Sequence, residues 1–131
     1  MTRINLVKPE ELHGSHLVSE YRELPRVFRL VRRAQARGLT PQTIRAPSAY
    51  TMGPGHVVFF YAKLDFLIWR QMSLVVEMRR RNYKVTYDEV VHLVAGIDRH
   101  WHGKWVPDEA AIAVSRARLQ ERLVQMGVTR E

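Results

Sequence analysis

Apolar residues in the first third of the chain recur with a helical period. Leu17, Tyr21, Leu24, Phe28 and Val31 fall at i, i+4, i+7, i+11 and i+14. That spacing lines one face of an α-helix from about Ser15 to Arg37. Gly14 and Ser15 supply its N-cap, and Gly38 closes it at the C′ position. Pro25, inside the pattern, removes one backbone hydrogen bond and bends the helix. Residues 39–61 hold Pro41, Pro47, Gly53, Pro54 and Gly55. They read as an ordered loop ending in an apolar turn, Val57–Tyr61, a run that on its own would pass for a strand. A second helix is predicted from about Ala62 to Asn82, with Leu64, Leu67, Ile68, Gln71, Val75 and Met78 on its inner side. Thr86-Tyr87-Asp88-Glu89 has the form of a capping box starting a short helix that stops at Gly96. The last helix starts at Pro107, a favoured first-turn residue, and runs to about Gln125, with Gly127 beyond it. On it, Ala110, Ala113 and Ala117 are expected to keep one side thin for close packing. The pattern therefore predicts an all-α fold: one compact domain over residues 1–131, with three principal helices around a core and ordered loops.

The proportions of apolar (46%) and charged (26%) residues are those of an ordinary globular protein and change nothing in this picture. The charge balance does. Lys and Arg number 21 against 13 Asp and Glu, a formal +8, which favours a polyanionic partner, nucleic acid before an anionic membrane surface. The absence of cysteine excludes thiol catalysis, a disulfide framework and thiolate metal sites. The longest apolar run, Val57 to Ala62, is far short of the roughly 20 residues that span a bilayer. The opening Met-Thr-Arg-Ile-Asn-Leu lacks the apolar core of a signal peptide. A soluble, cytoplasmic protein is expected.

Candidate chemistry concentrates on the first helix. Arg22, Arg26, Arg29, Arg33 and Arg37 form a guanidinium stripe, diluted by Glu20 and Glu23. Arginine suits bidentate phosphate contacts, with binding that weakens as salt rises; the bland alternative is a solvated helix face. Arg79-Arg80-Arg81 with Lys84 fits partner contact or simple helix capping equally. Arg118 and Arg122, one turn apart, make a third basic pair. His16, Glu23 and Arg26 fall along one side of the first helix. A carboxylate among arginines suits stabilisation of a developing cation or acceptance of a proton, and equally a salt bridge to Arg22 or Arg26. His92, His100 and His102 have too few carboxylates nearby for a metal site. Gly53-Pro54-Gly55-His56 matches no phosphate-cradling loop and reads as a turn. Trp69, Trp101 and Trp105 suit base stacking or core packing. Finally, Thr2 is small enough to favour removal of Met1, which leaves an α-amine of pKa about 7.7–8.0, partly neutral and nucleophilic at physiological pH.

Several of these segments are jointly familiar. Met-Thr-Arg-Ile-Asn-Leu at 1–6, His16-Leu17, and the unbroken run Glu20-Tyr21-Arg22-Glu23-Leu24-Pro25-Arg26-Val27-Phe28 resemble the phage-type pyrimidine-dimer DNA glycosylase/AP lyase family. So do Gly55-His56-Val57, Phe59-Phe60-Tyr61, Lys63-Leu64, Phe66-Leu67, Pro107 with Glu109-Ala110, and Ala117-Arg118-Leu119. The resemblance runs in order along almost the whole chain and implies a single compact α-helical domain. It implies that the Thr2 amine attacks C1′ of the damaged nucleotide, that an imine links enzyme and DNA, and that β-elimination then cuts the strand. By the same resemblance Glu23 is the catalytic carboxylate, Arg22 and Arg26 hold phosphates, and Arg3 braces the N-terminal segment on DNA. His16 sits by the sugar, and Arg118 and Arg122 add backbone contacts. The implied partner is double-stranded damaged DNA, bound by a monomer with no cofactor, metal or membrane, and associated with the nucleoid when on DNA.

Two departures bear on specificity. Ser15 stands where the family prototype has Gln, and residues 125–131 carry no aromatic where the family's tail is rich in Trp and Tyr. The chemistry is therefore expected to carry over more fully than the lesion preference. Abasic sites or other damaged bases are alternative substrates, and a non-catalytic DNA-binding module is the alternative of another class. Residues 85–106 match poorly, so Trp101, His102 and Trp105 are candidates for different lesion contacts.

Overall fold

A computed structural model describes residues 2–86 and 92–127. Among these residues there are four α-helices: α1 (Gly14–Glu23), α2 (Arg26–Ala36), α3 (Leu64–Arg80) and α4 (Glu109–Gln125). Short 3-10 turns occur at Pro9–Glu11, Val58–Phe60 and Arg99–Trp101, and no strand occurs among the described residues. The fold is all-α, as the periodicity predicts. No helix among the described residues is long and apolar enough to cross a membrane.

The single helix expected over 15–37 is two. Its cap is His13, one residue earlier than Gly14, and the His13 ring accepts the Ser15 N–H at 3.2 Å. Pro25 does more than bend the chain: with no N–H to give, it leaves the Tyr21 carbonyl without its i+4 donor. Gln71 of α3 fills that vacancy, donating its side-chain amide to the Tyr21 carbonyl at 3.0 Å in the buried interior. The break is thus stitched to the helix beneath it. α2 ends as expected at Gly38, whose φ of 84° only glycine adopts without strain. The bonds Gly38 N–H to Gln35 O (2.9 Å) and Leu39 N–H to Ala34 O (3.0 Å) complete a Schellman closure.

Val57–Tyr61 is a helical turn and not a strand. Both Phe59 and Phe60 are buried, which strand alternation would forbid on a one-sided sheet. They join Tyr50, Phe66 and Trp105 in one aromatic cluster of edge-to-face and stacked pairs. Trp101 is fully buried, and Trp69 stands 59% exposed on α3. α1 packs on α3, which buries Leu64, Leu67, Gln71, Val75 and Met78 as predicted and, beyond the prediction, Arg70 and Glu77. Where the chain re-enters at Gly103, its N–H meets the Ala62 carbonyl at 3.1 Å and its carbonyl takes the Asp65 N–H at 3.2 Å. A Cβ there would stand 2.1 Å from the Ala62 oxygen, so only glycine fits.

α4 starts at Glu109, two residues later than predicted, because Asp108 is the cap and accepts the Ala111 N–H at 2.8 Å. Its orientation also corrects the expectation. Ala110, Ala113 and Ala117 face out, and the buried positions are Ala111, Ser115 and Leu119. The rotation follows from Ser115, whose hydroxyl must point inward to accept the Leu6 N–H at 3.0 Å. The capping box at 86–89 lies mostly outside the described residues. Beyond it, the 92–98 segment is tied to α2 by Arg32, which donates to the carbonyls of Ala95, His92 and Leu93, and by Gln35 to Gly96 and Asp98.

Candidate active site

Residues 4–7 of the N-terminal segment run through the interior. Ile4, Asn5, Leu6 and Val7 are all buried, and none belongs to a helix or sheet. Their backbone polar groups therefore need side-chain partners, and they have them. Ile4 N–H donates to His56 Nε2 at 2.8 Å, and Ile4 O accepts the Tyr50 hydroxyl at 2.8 Å. Leu6 N–H goes to Ser115, and Val7 O takes Arg70 Nη1 at 2.6 Å.

Beneath the segment lies a buried polar centre that periodicity did not reveal. Arg70, 1% exposed, grips both oxygens of Glu20, 2% exposed: Nε to Oε2 at 2.7 Å and Nη2 to Oε1 at 3.0 Å. Asn5 Nδ2 donates to the same Oε1 at 2.9 Å. Glu20 thus leaves the arginine stripe, where the sequence reading put it, and becomes the joint between the N-terminal segment, α1 and α3. One signal was available: Glu20 shares a helical face with Leu17 and Leu24, so it must be buried with them and needs a cation.

Above this floor opens a pocket of about 410 Å³ lined by Arg3, Asn5, His16, Ser19, Glu20, Glu23, Arg118, Leu119 and Arg122. Five of the eight candidate site residues line it: Arg3, His16, Glu23, Arg118 and Arg122. Thr2 is the neighbour of Arg3, its Cα about 3.8 Å away across one peptide. Arg22 and Arg26 do not line it. They stand exposed, Arg22 at the end of α1 and Arg26 at the start of α2, beyond the Pro25 break. With Arg29 and Arg33 on α2 they carry the stripe along an outer surface.

The pocket's electrostatics are unbalanced in one direction. Burial, then Arg118 and Arg122, push the Arg3 guanidinium below its ordinary value, while Tyr50 and Glu23 act the other way. Burial, then His13 and Arg122, likewise lower His16, against Glu20. Glu23 makes no ion pair within 4.0 Å among the described residues, so it is not the salt-bridge partner of Arg22 or Arg26. His16 Nε2 and Arg118 Nε are buried with no hydrogen-bond partner among the described residues. Three arginines held close despite mutual repulsion make a site complementary to an anion, and a phosphodiester fits their forked donors.

The remaining candidates divide between structure and surface. Arg80 and Arg81 both close on Glu77, at 2.5 and 2.6 Å, and Arg81 also holds the Pro9 and Glu10 carbonyls. His102 faces Asp65 at 3.2 Å and His100 faces Asp98 at 3.9 Å. Gly53–Gly55 is a turn, but His56 that follows it is one of the anchors of the N-terminal segment.

Residues 1–89, well over half of the chain, match the family model described as pyrimidine dimer DNA glycosylase. The matched span holds the N-terminal segment, the carboxylates of α1 and the Arg70 anchor; Arg118 and Arg122 on α4 lie beyond it. A buried N-terminal segment leading to a pocket that a carboxylate and three arginines line is coherent with that match, and the chain belongs to the pyrimidine dimer DNA glycosylase family.

Proposed function

We propose that this protein cleaves the glycosidic bond of a pyrimidine dimer in double-stranded DNA by covalent catalysis through the Thr2 α-amine, and then cuts the strand as an AP lyase. The observation that carries the reading is the meeting of Glu23 with three arginines at the end of an immobilised N-terminal segment. With Met1 removed, the neutral amine nitrogen attacks C1′ of the damaged nucleotide and the C1′–N bond to the base breaks. The nitrogen gives up two protons, one taken up by the departing base and one by O4′ as the sugar ring opens, leaving an imine. Removal of a C2′ proton expels the 3′ phosphate by β-elimination. Glu23 stabilises the cationic character that develops at the sugar and serves as the proton acceptor and donor in the later steps.

Arg3, Arg118 and Arg122 hold the phosphates nearest the reacting sugar, with His16 beside that sugar. Arg22 and Arg26, on the outer surface, engage the flanking backbone. The reaction as written uses no metal or organic cofactor, and one copy of the chain supplies every group in it. The site of action is the nucleoid.

Duplexes carrying a single thymine dimer or a single abasic site test the reading. Incision of both is the expected result. Incision of the abasic duplex alone would remove the dimer from the substrate range and keep the lyase, and incision of neither would leave a DNA-binding module.

A further inference from the structure

His56 has no part in the chemistry above, yet its geometry is narrowly specified. It is 3% exposed, packed edge-on against Tyr50 and Phe60 at ring distances of 5.4 and 5.8 Å. Its Nδ1 lies 2.8 Å from the Thr51 carbonyl, which can only accept, so Nδ1 carries the proton. Nε2 is then the acceptor that the Ile4 N–H requires. One neutral tautomer satisfies both contacts. Tyr50 holds the other polar group of the same residue, the Ile4 carbonyl. Both backbone groups of Ile4, two residues from Thr2, are thus held by side chains of the loop between α2 and α3.

We propose that His56, together with Tyr50, is a positioning residue for the Thr2 amine: the neutral imidazole fixes Ile4, and a protonated ring, with no acceptor left for the Ile4 N–H, releases the segment. The inference rests on the reading of Thr2 as nucleophile. Burial pushes His56 below the ordinary histidine value; the Thr51 carbonyl and Glu20 act against that, and Arg3 acts with it. Tyr50 and Phe60 pack on the ring, and the balance of these charges and burial keeps the clamp closed at neutral pH.

The variants H56Q and H56L separate positioning from bulk. Gln retains an amide acceptor for Ile4 and a donor for Thr51 but cannot take up a proton, whereas Leu offers neither. We would measure the rate of cyanoborohydride-trapped imine on a saturating abasic duplex between about pH 5 and pH 8, where histidine titrates. Exchange of the Ile4 amide proton would be followed in parallel by NMR. H56L is expected to bind the duplex normally yet form imine about tenfold or more slowly, the scale on which a misplaced reacting group acts. H56Q is expected to recover most of that rate. The ratio of wild type to H56Q cancels the titration of the amine itself, and should be level near neutrality and fall on the acid side. Ile4 amide protection should fall with it, in wild type alone. A ratio level across the range with Ile4 equally protected in both proteins would overturn the proposal, as would full-rate trapping by bound H56L. Should H56L not fold, the H56Q ratio decides. No adduct from wild type would overturn the Thr2 reading instead, and Ile4 exchange then decides the clamp alone.

Discussion

Glu20 and Glu23 are three residues apart on one short helix and carry the same functional group, yet their surroundings assign them opposite work. Glu20 is enclosed, with both oxygens held by Arg70 and one shared with Asn5. Glu23 borders the open pocket and has no ion partner within 4.0 Å among the described residues. Neutralising each should therefore give opposite phenotypes. E20Q leaves the Arg70 guanidinium buried without its counter-charge and should destabilise the protein by about 3–5 kcal/mol. E23Q should change stability by no more than about 0.5 kcal/mol and leave DNA binding intact, while abolishing base release. Urea unfolding of both proteins, with single-turnover incision for E23Q, checks the pair; near-normal turnover by E23Q would remove it from catalysis. The sequence could mark Glu23 as chemically interesting, because it sits among arginines. It could not show Arg70 beneath Glu20, since that partner lies 50 residues away and helical period reports only which face a residue takes.

At the scale of the helices, the sequence showed element type well and junctions poorly. The apolar stripes of α1, α2 and α3 are those expected, because burial of one face dictates them. The two departures each come from a polar requirement that apolar period ignores. Pro25 withholds the i+4 amide from the Tyr21 carbonyl, which Gln71 serves instead, and Ser115 must face the Leu6 amide. The first yields a double-mutant test. Q71L should cost about 1–3 kcal/mol by leaving a buried carbonyl unsatisfied. In a P25A background the cost should shrink, because the amide restored at position 25 can serve Tyr21; thermal unfolding of the four proteins measures the difference. At the far end of α3, Arg80 and Arg81 hold the Glu77 carboxyl well below its ordinary 4.5, at about 2. A depressed carboxyl contributes stability that is complete above pH 4.5 and lost as the pH falls towards 2. The stability gap between wild type and E77Q should therefore be constant at neutral pH and close over that acid window. A gap unchanged down to pH 2 would contradict the assignment.

Over the whole molecule, a formal charge of +8 is divided between two settings. Arg3, Arg118 and Arg122 converge on the pocket, while Arg22, Arg26, Arg29 and Arg33 lie exposed along α1 and α2. Neutralising an outer arginine should weaken binding to all duplexes alike. For R26A, the slope of log affinity against log salt should fall by about one unit, whereas an unchanged slope would exclude Arg26 from phosphate contact. The pocket setting depends on a segment that has no periodic signature at all: residues 4–7, threaded through the core and held by His56, Tyr50, Ser115 and Arg70. It is this segment that brings Arg3, the neighbour of Thr2, to the pocket. The most direct test is borohydride trapping on a duplex with one thymine dimer, using protein shown by intact mass to lack Met1, followed by peptide mapping of the adduct. A single covalent product on the Thr2 α-amine is the expected result. An adduct on a lysine, or efficient dimer excision with no adduct, would contradict it.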